Sequence, residues 1–225
     1  MATIINADNG VVSGVPGLKY VSDSTGNLQL QTNGTNALLL DTSQYPSATV
    51  NGLGTGRIPA EQFYRLDSAL VGANATGAQS VFGVGVTLVG STVYQFQGVY
   101  LLFKTAGTTS HTVSLLFGGT ATVNNIAYTI GWNATTSYNV PNSGGYFTAA
   151  TQATATVITS ARINAADYGV YQVFGTVSVN AGGTFIPQYQ LSAAPGGAYT
   201  TAIGSYFKIS PLGASGSNIS IGTWS

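Results

Sequence analysis

The chain of 225 residues contains no cysteine, one histidine and one methionine. The absence of cysteine excludes disulfide bonds, thiolate nucleophiles and every zinc site that needs a Cys ligand. Charge is also scarce, because six Lys+Arg and six Asp+Glu make up 5% of the residues and leave a formal net charge of +0. Without an excess of basic side chains to neutralise phosphates, the sequence predicts no nucleic-acid partner.

This shortage of charge predicts a surface that Ser, Thr, Asn, Gln and Gly must solvate. Soluble domains commonly carry roughly a quarter or more of their surface residues as Lys, Arg, Glu and Asp. A neutral surface has little to keep molecules apart, so we expect free copies to associate. The apolar fraction of 44% is nevertheless high enough to predict a folded chain with a sizeable core.

Apolar and polar residues alternate along most of the chain, and Gly and Asn-Gly steps separate the alternating runs. This period of two predicts an all-β protein. The best helical candidate is short and covers residues 60–70, where Phe63, Leu66 and Leu70 would share a face. Because crossover helices are missing, the sequence excludes a parallel α/β fold.

Residues 81–103 are uncharged and apolar enough to suggest a transmembrane helix by hydropathy alone. Their apolar positions alternate, however, and the segment contains several glycines together with Gln95 and Gln97. We therefore predict two strands here and no membrane insertion. Residues 1–20 lack the basic region and apolar run of a signal peptide, so none is expected.

Residues 1–60 are predicted to form an N-terminal attachment segment with a β-hairpin and a linker. The hairpin joins residues 27–32 to residues 36–42 through Asn33-Gly34, a pair that favours a type I′ turn. So small a hairpin needs roughly three or more strands, or a neighbour, to cover its apolar side. We expect that neighbour to be the same hairpin of another subunit, and we interpret the Gly- and Pro-rich residues 43–59 as the linker.

Residues 61–225 are predicted to form an antiparallel β-sandwich of the jelly-roll type, which would serve as a compact knob. The alternating runs are longer here, and turns recur at Gly118-Gly119, Gly182-Gly183 and Pro195-Gly196-Gly197. They amount to roughly eight or nine closely spaced strands, a number that suits a sandwich or jelly roll.

A search for catalytic patterns finds no strong candidate. The only histidine, His111, stands beside Thr and Ser residues at a predicted turn–strand junction, and no Gly-x-Ser-x-Gly elbow accompanies it. Five of the six acids lie within the first 67 residues and only Asp167 lies further along the predicted sandwich, so no glycosidase pair of carboxylates is expected there. The series Gly52, Gly54 and Gly56 is followed by Arg57-Ile-Pro59 and not by a helix that could hold a phosphate.

The sequence therefore predicts no enzyme, no catalytic, cofactor-binding or metal-binding residue, and no cofactor. The segment Asp167-Tyr168-Gly169-Val170-Tyr171 is similar to the tyrosine corner of immunoglobulin-type sandwiches, which favours a sandwich in general. The aromatic residues are expected mostly in the core or at subunit interfaces. Two polar-aromatic segments, Trp132–Tyr138 and Gly144–Phe147, are candidate loops for contact with host glycans.

Several segments resemble structural proteins of tailed bacteriophages. At the N-terminus they are MATIINADNGVVSG (residues 1–14), GLK (17–19) and DSTGNLQLQTNG (23–34). Near the C-terminus they are NAGGTFIPQYQLSAAPGG (180–197) and GSYFKISPLGASG (204–216). The resemblance implies a place in the virion and a homotrimer. It carries no catalytic signature, and the chain departs from long fibres because it has no heptads and no repeated shaft.

The leading hypothesis is a non-enzymatic, trimeric capsid decoration or cement protein on the surface of a phage head, assembled in the host cytoplasm. Its N-terminal segment would bind the major capsid protein or another virion protein. The alternative is a receptor-binding tail fibre or spike tip that recognises a host surface glycan. A third, weaker hypothesis is a cellular lectin-like module or a hydrolase built on a jelly roll.

Overall fold

The computed structural model of the chain describes residues 28–32, 35–40, 46–49, 55–57, 61–135, 145–149 and 154–218. Side chains are described within residues 61–133 and 154–218. The chain divides into an N-terminal unit, Met1–Ala60, and a C-terminal unit, Glu61–Ser225. All regular structure in the described part is β, which confirms the predicted fold class.

The N-terminal unit contains a four-stranded antiparallel sheet. Its strands follow one another in chain order: β1 (Leu28–Thr32), β2 (Thr35–Leu40), β3 (Pro46–Thr49) and β4 (Thr55–Arg57). The predicted hairpin is confirmed as the β1–β2 pair, whose register shifts between Leu30 and Gln31.

The prediction of a linker over residues 43–59 is wrong, because this segment contains β3 and β4. Gly and Pro mark the turns between short strands as well as linkers, and Pro46 stands at the first position of β3, where proline is tolerated in a sheet. Within the chain, β3 pairs with β2 and extends the hairpin. The expected contact with the same hairpin of another subunit stays a prediction.

The described part of the C-terminal unit contains thirteen further strands. In chain order they are β5 (Gln62–Arg65), β6 (Leu70–Val71), β7 (Gln79–Ser80), β8 (Val86–Leu88), β9 (Thr92–Lys104), β10 (Val113–Gly118), β11 (Thr122–Thr135), β12 (Gly145–Ala149), β13 (Thr156–Val157), β14 (Asp167–Ala181), β15 (Gly183–Leu191), β16 (Thr200–Thr201) and β17 (Tyr206–Ala214). The segment 81–103 forms β8 and β9, as predicted. Within the described residues, no helix is long and apolar enough to cross a membrane.

These strands form two antiparallel sheets in jelly-roll order. In the large sheet, β5 pairs with β17 and β6 pairs with β16. Both β17 and β16 pair with one edge of β9, and β14 pairs with its other edge. In the small sheet, β7 and β8 both pair with β15, followed by β10 and β13. If β5–β6, β7–β8 and β16–β17 are each counted as one interrupted strand and the hairpin β11–β12 is left out, the two sheets contain eight strands. Numbered from 1 to 8 in chain order, these strands lie side by side as 1-8-3-6 in the large sheet and as 2-7-4-5 in the small sheet, which are the orders of a jelly roll.

One hairpin extends the large sheet beyond this eight-strand pattern. Strand β11 pairs with β14 over nearly its whole length, and β12 pairs with the other edge of β11. The inward side of β11 joins the core, where Tyr128 packs edge-on against Phe117 of β10 with ring centroids 5.2 Å apart. The hydroxyl of Tyr128 lies 3.1 Å from Oγ1 of Thr156 on β13, so the hairpin is tied to the small sheet.

The two sheets meet in an aromatic core, which confirms the sandwich. Phe96 and Phe207 of the large sheet contact Phe117 and Phe185 of the small sheet, and the Phe117 and Phe185 rings are stacked with centroids 4.7 Å apart. All four rings are buried. Buried aromatic rings contribute large apolar areas and a further gain from edge-to-face and offset contacts.

The helix predicted for residues 60–70 is wrong. Residues 62–65 form β5, in which Tyr64 lies opposite Phe207 and Phe63 opposite Lys208 of β17. Leu66 is buried, whereas Phe63 is 57% exposed, so the apolar residues do not share one buried face. Pairing with β17, about 140 residues further along the chain, has overridden the short local pattern of a helix, as tertiary context commonly does.

Candidate functional site

The charged residues of the C-terminal unit fall into two places. One group, Lys104, Arg162 and Asp167, is enclosed at one end of the sandwich. The other group, Glu61, Arg65, Asp67 and Lys208, lies on or beside β5 and is solvent-accessible. The rest of this unit carries no Lys, Arg, Asp or Glu, so its remaining surface is uncharged.

The first group, together with His111 and Tyr199, forms what we call the buried polar cluster. Topology assembles it, because Lys104 ends β9 and lies opposite Asp167, which begins β14. His111 and Arg162 form an isolated antiparallel bridge, with backbone hydrogen bonds of 3.1 and 2.7 Å between them. Tyr199 precedes β16 and is 1% exposed, while His111 and Asp167 are each 2% exposed.

Asp167 is the acceptor at the centre of this cluster. Arg162 donates to both of its carboxylate oxygens, with Nε 3.0 Å from Oδ2, in a two-pronged ion pair. The hydroxyl of Tyr199 donates to the same Oδ2 at 2.5 Å. Charge-assisted, two-pronged pairs of this kind are among the strongest polar interactions in proteins, because the guanidinium matches the carboxylate geometrically.

His111 continues the chain of hydrogen bonds. Its Nδ1 lies 2.8 Å from the carbonyl oxygen of Thr109, and its Nε2 lies 2.8 Å from the hydroxyl of Tyr199. Because the carbonyl can only accept, Nδ1 carries a hydrogen, and the single hydroxyl hydrogen of Tyr199, which is donated to Asp167, cannot also be donated to Nε2. Burial lowers the pKa of His111, and the nearby positive charges of Lys104 and Arg162 lower it further.

Lys104 binds the loops that surround the cluster. Its Nζ donates to the carbonyl oxygens of Gly107, at 2.7 Å, and of Asn164, with longer contacts to those of Ala106 and Ala165. Burial lowers the pKa of Lys104, and the charge of Asp167 opposes that shift. Gly107 has a φ of +83° and a Cβ there would overlap the carbonyl oxygen of Pro195, so glycine is required at this turn.

This arrangement holds structure together and offers no activated nucleophile. Burial and the negative charge of Asp167 raise the pKa of Tyr199, so its hydroxyl keeps its proton. A Ser-His-Asp site would need the His111 ring beside a serine, but the ring is bonded to Tyr199 and Thr109. Among the described residues, no group of three or more His, Cys, Asp or Glu could hold a metal ion.

The structure shows partners in this region that the sequence did not indicate. His111 lies just before β10, at the predicted turn–strand junction, and it is buried and bonded to Tyr199, a residue 88 positions along the chain. In the segment similar to a tyrosine corner, Tyr171 is buried over Gly169, where any Cβ would overlap its ring. Asp167 of the same segment anchors Arg162 and Tyr199. No local signal in the sequence links these partners.

The segments predicted as glycan-binding loops are strands over most of their described length. Trp132 lies within β11, half-buried and packed against the core, opposite Tyr171 of β14 and Gly145 of β12. Tyr146 and Phe147 lie within β12, opposite Gly131 and Ile130. Residues 136–144 are outside the described part of the chain, as are Asp8, Asp23 and Asp41 and the predicted glycine series apart from Gly56 in β4.

The outer face of the large sheet carries an apolar strip that we call the outer strip. Val99, Leu101 and Phe103 of β9 alternate with buried residues and are half-buried, as are Tyr168 and Val170 of β14. Phe103 lies opposite Tyr168, and their rings are stacked with centroids 5.9 Å apart. The outward side chains of β9 and β14 include no charged residue, so the strip has no charge to keep a neighbour away.

Further along the same face, Phe174 is 46% exposed and borders a groove of about 410 Å³. Gln95 and Gln97 of β9 line it, together with Glu61 and Lys208, which form an ion pair at 3.2 Å. An exposed ring beside amides and charges is a suitable surface for a polar ligand with an apolar face. Phe174 alternates with inward Val173 in β14, and this alternation is the signal in the sequence that could have identified its outward side chain.

Comparison of the chain with protein-family models, with curated proteins and with solved structures finds no match.

Proposed function

We propose that the protein is a non-enzymatic structural protein of a tailed-bacteriophage virion, a trimeric decoration protein on the outside of the head. The outer strip is the observation that carries this proposal. A half-buried, uncharged apolar strip on a sheet suits burial between copies, because interface cores are depleted of charge and enriched in aromatic residues. The virion location and the number of three chains in the assembly are inferred from the resemblance of the terminal segments to phage structural proteins.

In this proposal the C-terminal unit forms the trimeric knob and the N-terminal unit binds the shell. The four-stranded sheet of the N-terminal unit has edges that can receive a strand of a capsid subunit, a common mode of attachment. A protein that binds only the assembled shell shifts the assembly equilibrium towards it by mass action. No catalysis, cofactor or membrane insertion is involved.

The trimer is tested by charging the outer strip. Leu101→Asp in the full chain places a carboxylate at the centre of the strip, and we expect the native mass to fall from three chains to one. Thr176→Asp is the matched control, because Thr176 is an exposed residue of β14 that lies opposite Gln95, outside the strip. A trimer that persists in Leu101→Asp would show that the strip is not the contact.

The location is tested by adding purified full chain to phage heads that lack it and imaging the particles. Many copies over the head support a decoration protein. A matched chain without residues 1–60 should stay folded and leave the heads bare, because the shell contact is assigned to the N-terminal unit. Full retention of the truncated chain on heads would contradict that assignment.

A second candidate function is a receptor-binding tip at the tail, favoured by the groove beside Phe174. An exposed ring flanked by Gln95 and Gln97 can stack on a sugar and hydrogen-bond its hydroxyls. Phe174→Ala should then abolish binding to host cells or their surface glycans, while Trp132→Ala, in β11, should reduce it only through lost stability. A few copies at the tail in the particle images would favour this function over decoration.

A further inference from the structure

Strand β5 has one unpaired edge. It pairs with β17 on one side, and within the described part of the C-terminal unit no strand pairs with its other side. All four of its residues are exposed, with Phe63 at 57% and Tyr64 at 45%. An exposed strand edge presents free backbone donors and acceptors and is a template for pairing with another chain.

The accessible charge of the C-terminal unit is concentrated at this edge. Glu61 immediately precedes the strand and pairs with Lys208 at 3.2 Å, and Arg65 ends the strand and pairs with Asp67. These residues supply two charges of each sign, and the remaining surface of the unit has none. Each end of the edge therefore carries one charge of each sign, and the edge is neutral as a whole.

Glu61, Phe63 and Arg65 lie on the same side of the sheet. Alternate residues of a strand share a face, and Phe63 stacks on the outward Tyr206 with ring centroids 5.7 Å apart. Gln62 and Tyr64 face the opposite way, towards an apolar groove of about 180 Å³ between the two sheets. There the ring of Tyr64 packs edge-on against Phe82, with centroids 5.9 Å apart.

From these features we infer that β5 pairs antiparallel with β5 of a second copy, about a two-fold axis that passes beside Phe63. In this register Phe63 lies opposite the partner's Phe63, Glu61 opposite the partner's Arg65, and Arg65 opposite the partner's Glu61. Opposite charges and aromatic rings facing each other across a strand pair each contribute favourably. Because of the two-fold symmetry, the charge pair between Glu61 of one copy and Arg65 of the other forms twice.

No neighbouring register matches as well. A shift of one residue places Arg65 opposite Gln62 of the partner subunit, and the charge pairs are lost. A shift of two places Glu61 opposite the partner's Asp67, which is a like-charge contact. In the inferred register, Gln62 lies opposite the partner's Tyr64, so the partner's ring approaches the mouth of the apolar groove.

This contact is distinct from the trimer interface. A two-fold contact uses the same patch on both molecules, whereas a three-fold ring needs two different patches. The β5 contact would therefore join copies that belong to different trimers, and it does not rest on the proposed virion role. It can be tested with the purified full chain alone.

The first experiment exploits the lack of native cysteine. Single variants Gln62→Cys, Phe63→Cys and Tyr64→Cys are oxidised and run on a denaturing gel. Only Phe63→Cys should give a covalent dimer, because only position 63 faces itself; mixed Gln62→Cys and Tyr64→Cys chains should cross-link to each other. Equal cross-linking at every position, or none at position 63, would overturn the inference.

The second experiment swaps charges. Glu61→Arg and Arg65→Glu each place like charges opposite each other, so association through β5 in the ultracentrifuge should weaken by about tenfold. Mixing the two variants, or combining both substitutions in one chain, should restore it. Val157→Arg is the matched control and should associate like the unaltered chain, because Val157 is 52% exposed on β13, at the opposite edge of the small sheet from β7. Single variants that associate normally, or a mixture that fails to recover, would contradict the contact.

Discussion

The C-terminal unit uses the same Arg–Asp pairing in two contrasting settings. The Arg162–Asp167 pair is enclosed, with side-chain exposures of 11% and 3%, and both partners hold further groups in place. The Arg65–Asp67 pair is open, with exposures of 46% and 82%, and its residues are two positions apart. Burial thus separates charges that fix the fold from charges that remain available to a partner.

The difference follows from solvation. A buried ion pair has given up its water, so removal of one member leaves the other charged and unsolvated, which is costly. An exposed pair keeps its water, and its loss changes stability little. In a chain with so few charges, the first group orders the structure, and we propose that the second gives specificity to association. The following predictions separate the two roles.

The largest effect is expected for Asp167→Asn. This change removes the charge that neutralises Arg162, and the free energy of unfolding should fall by about 3–5 kcal/mol. Asp67→Asn, the exposed counterpart, should change it by less than about 0.5 kcal/mol. Urea unfolding followed by tryptophan fluorescence measures both, and equal effects of the two variants would remove the distinction.

A smaller loss is expected for Lys104→Met. The apolar side chain fills the site but leaves the carbonyl oxygens of Gly107 and Asn164 without their donor. Buried acceptors without a partner cost about 1–3 kcal/mol in stability. Lys208→Met, at the exposed edge, should cost less than about 0.5 kcal/mol. Thermal unfolding of the two variants side by side provides the measurement, and a silent Lys104→Met would mean that the loops are held by other contacts.

Acidification should weaken the fold through His111. Because burial lowers the pKa of His111 in the folded state, the unfolded chain takes up its proton first, at an ordinary pKa of about 6.5. The contribution of the neutral ring is complete above that pH and is lost as the pH falls through it. Unfolding measured between pH 8 and pH 5 should show this slope, and His111→Gln should remove it. An unchanged slope in the variant would place its origin elsewhere.

The smallest change in stability is expected from salt. Raising NaCl from about 0.1 M to 1 M shortens the screening length from about 10 Å to 3 Å, which screens the exposed edge but scarcely affects the enclosed pair. The free energy of unfolding should therefore change little, while association through β5 weakens. Sedimentation and urea unfolding in the same buffers measure the two effects. A large change in the free energy of unfolding with unchanged association would contradict the prediction.

Local patterns were sufficient to predict the fold class. Alternation over residues 81–103 correctly predicted β8 and β9, and the Asn33-Gly34 step correctly predicted the β1–β2 pair. These signals are local, because neighbouring residues on a strand face opposite sides and a two-residue turn fixes the pairing of its flanks.

The features that the sequence did not reveal depend on distant partners. His111 meets Tyr199 across 88 positions, and β5 is a strand only because β17 pairs with it. The strands within residues 43–59 are three or four residues long, too short to show a period. The candidate surfaces were missed for the same reason: the outer strip and the β5 edge become visible only once the strands are placed side by side.

We propose that the protein functions as an assembly, in which further copies of the chain cover its uncharged faces. Native mass spectrometry of the full chain at several micromolar concentrations tests this claim most directly. We predict a three-chain species at the lowest concentrations and multiples of it at higher ones, with Leu101→Asp reducing the mass to a single chain at the lowest concentrations. A 22.9 kDa monomer at every concentration would contradict the account.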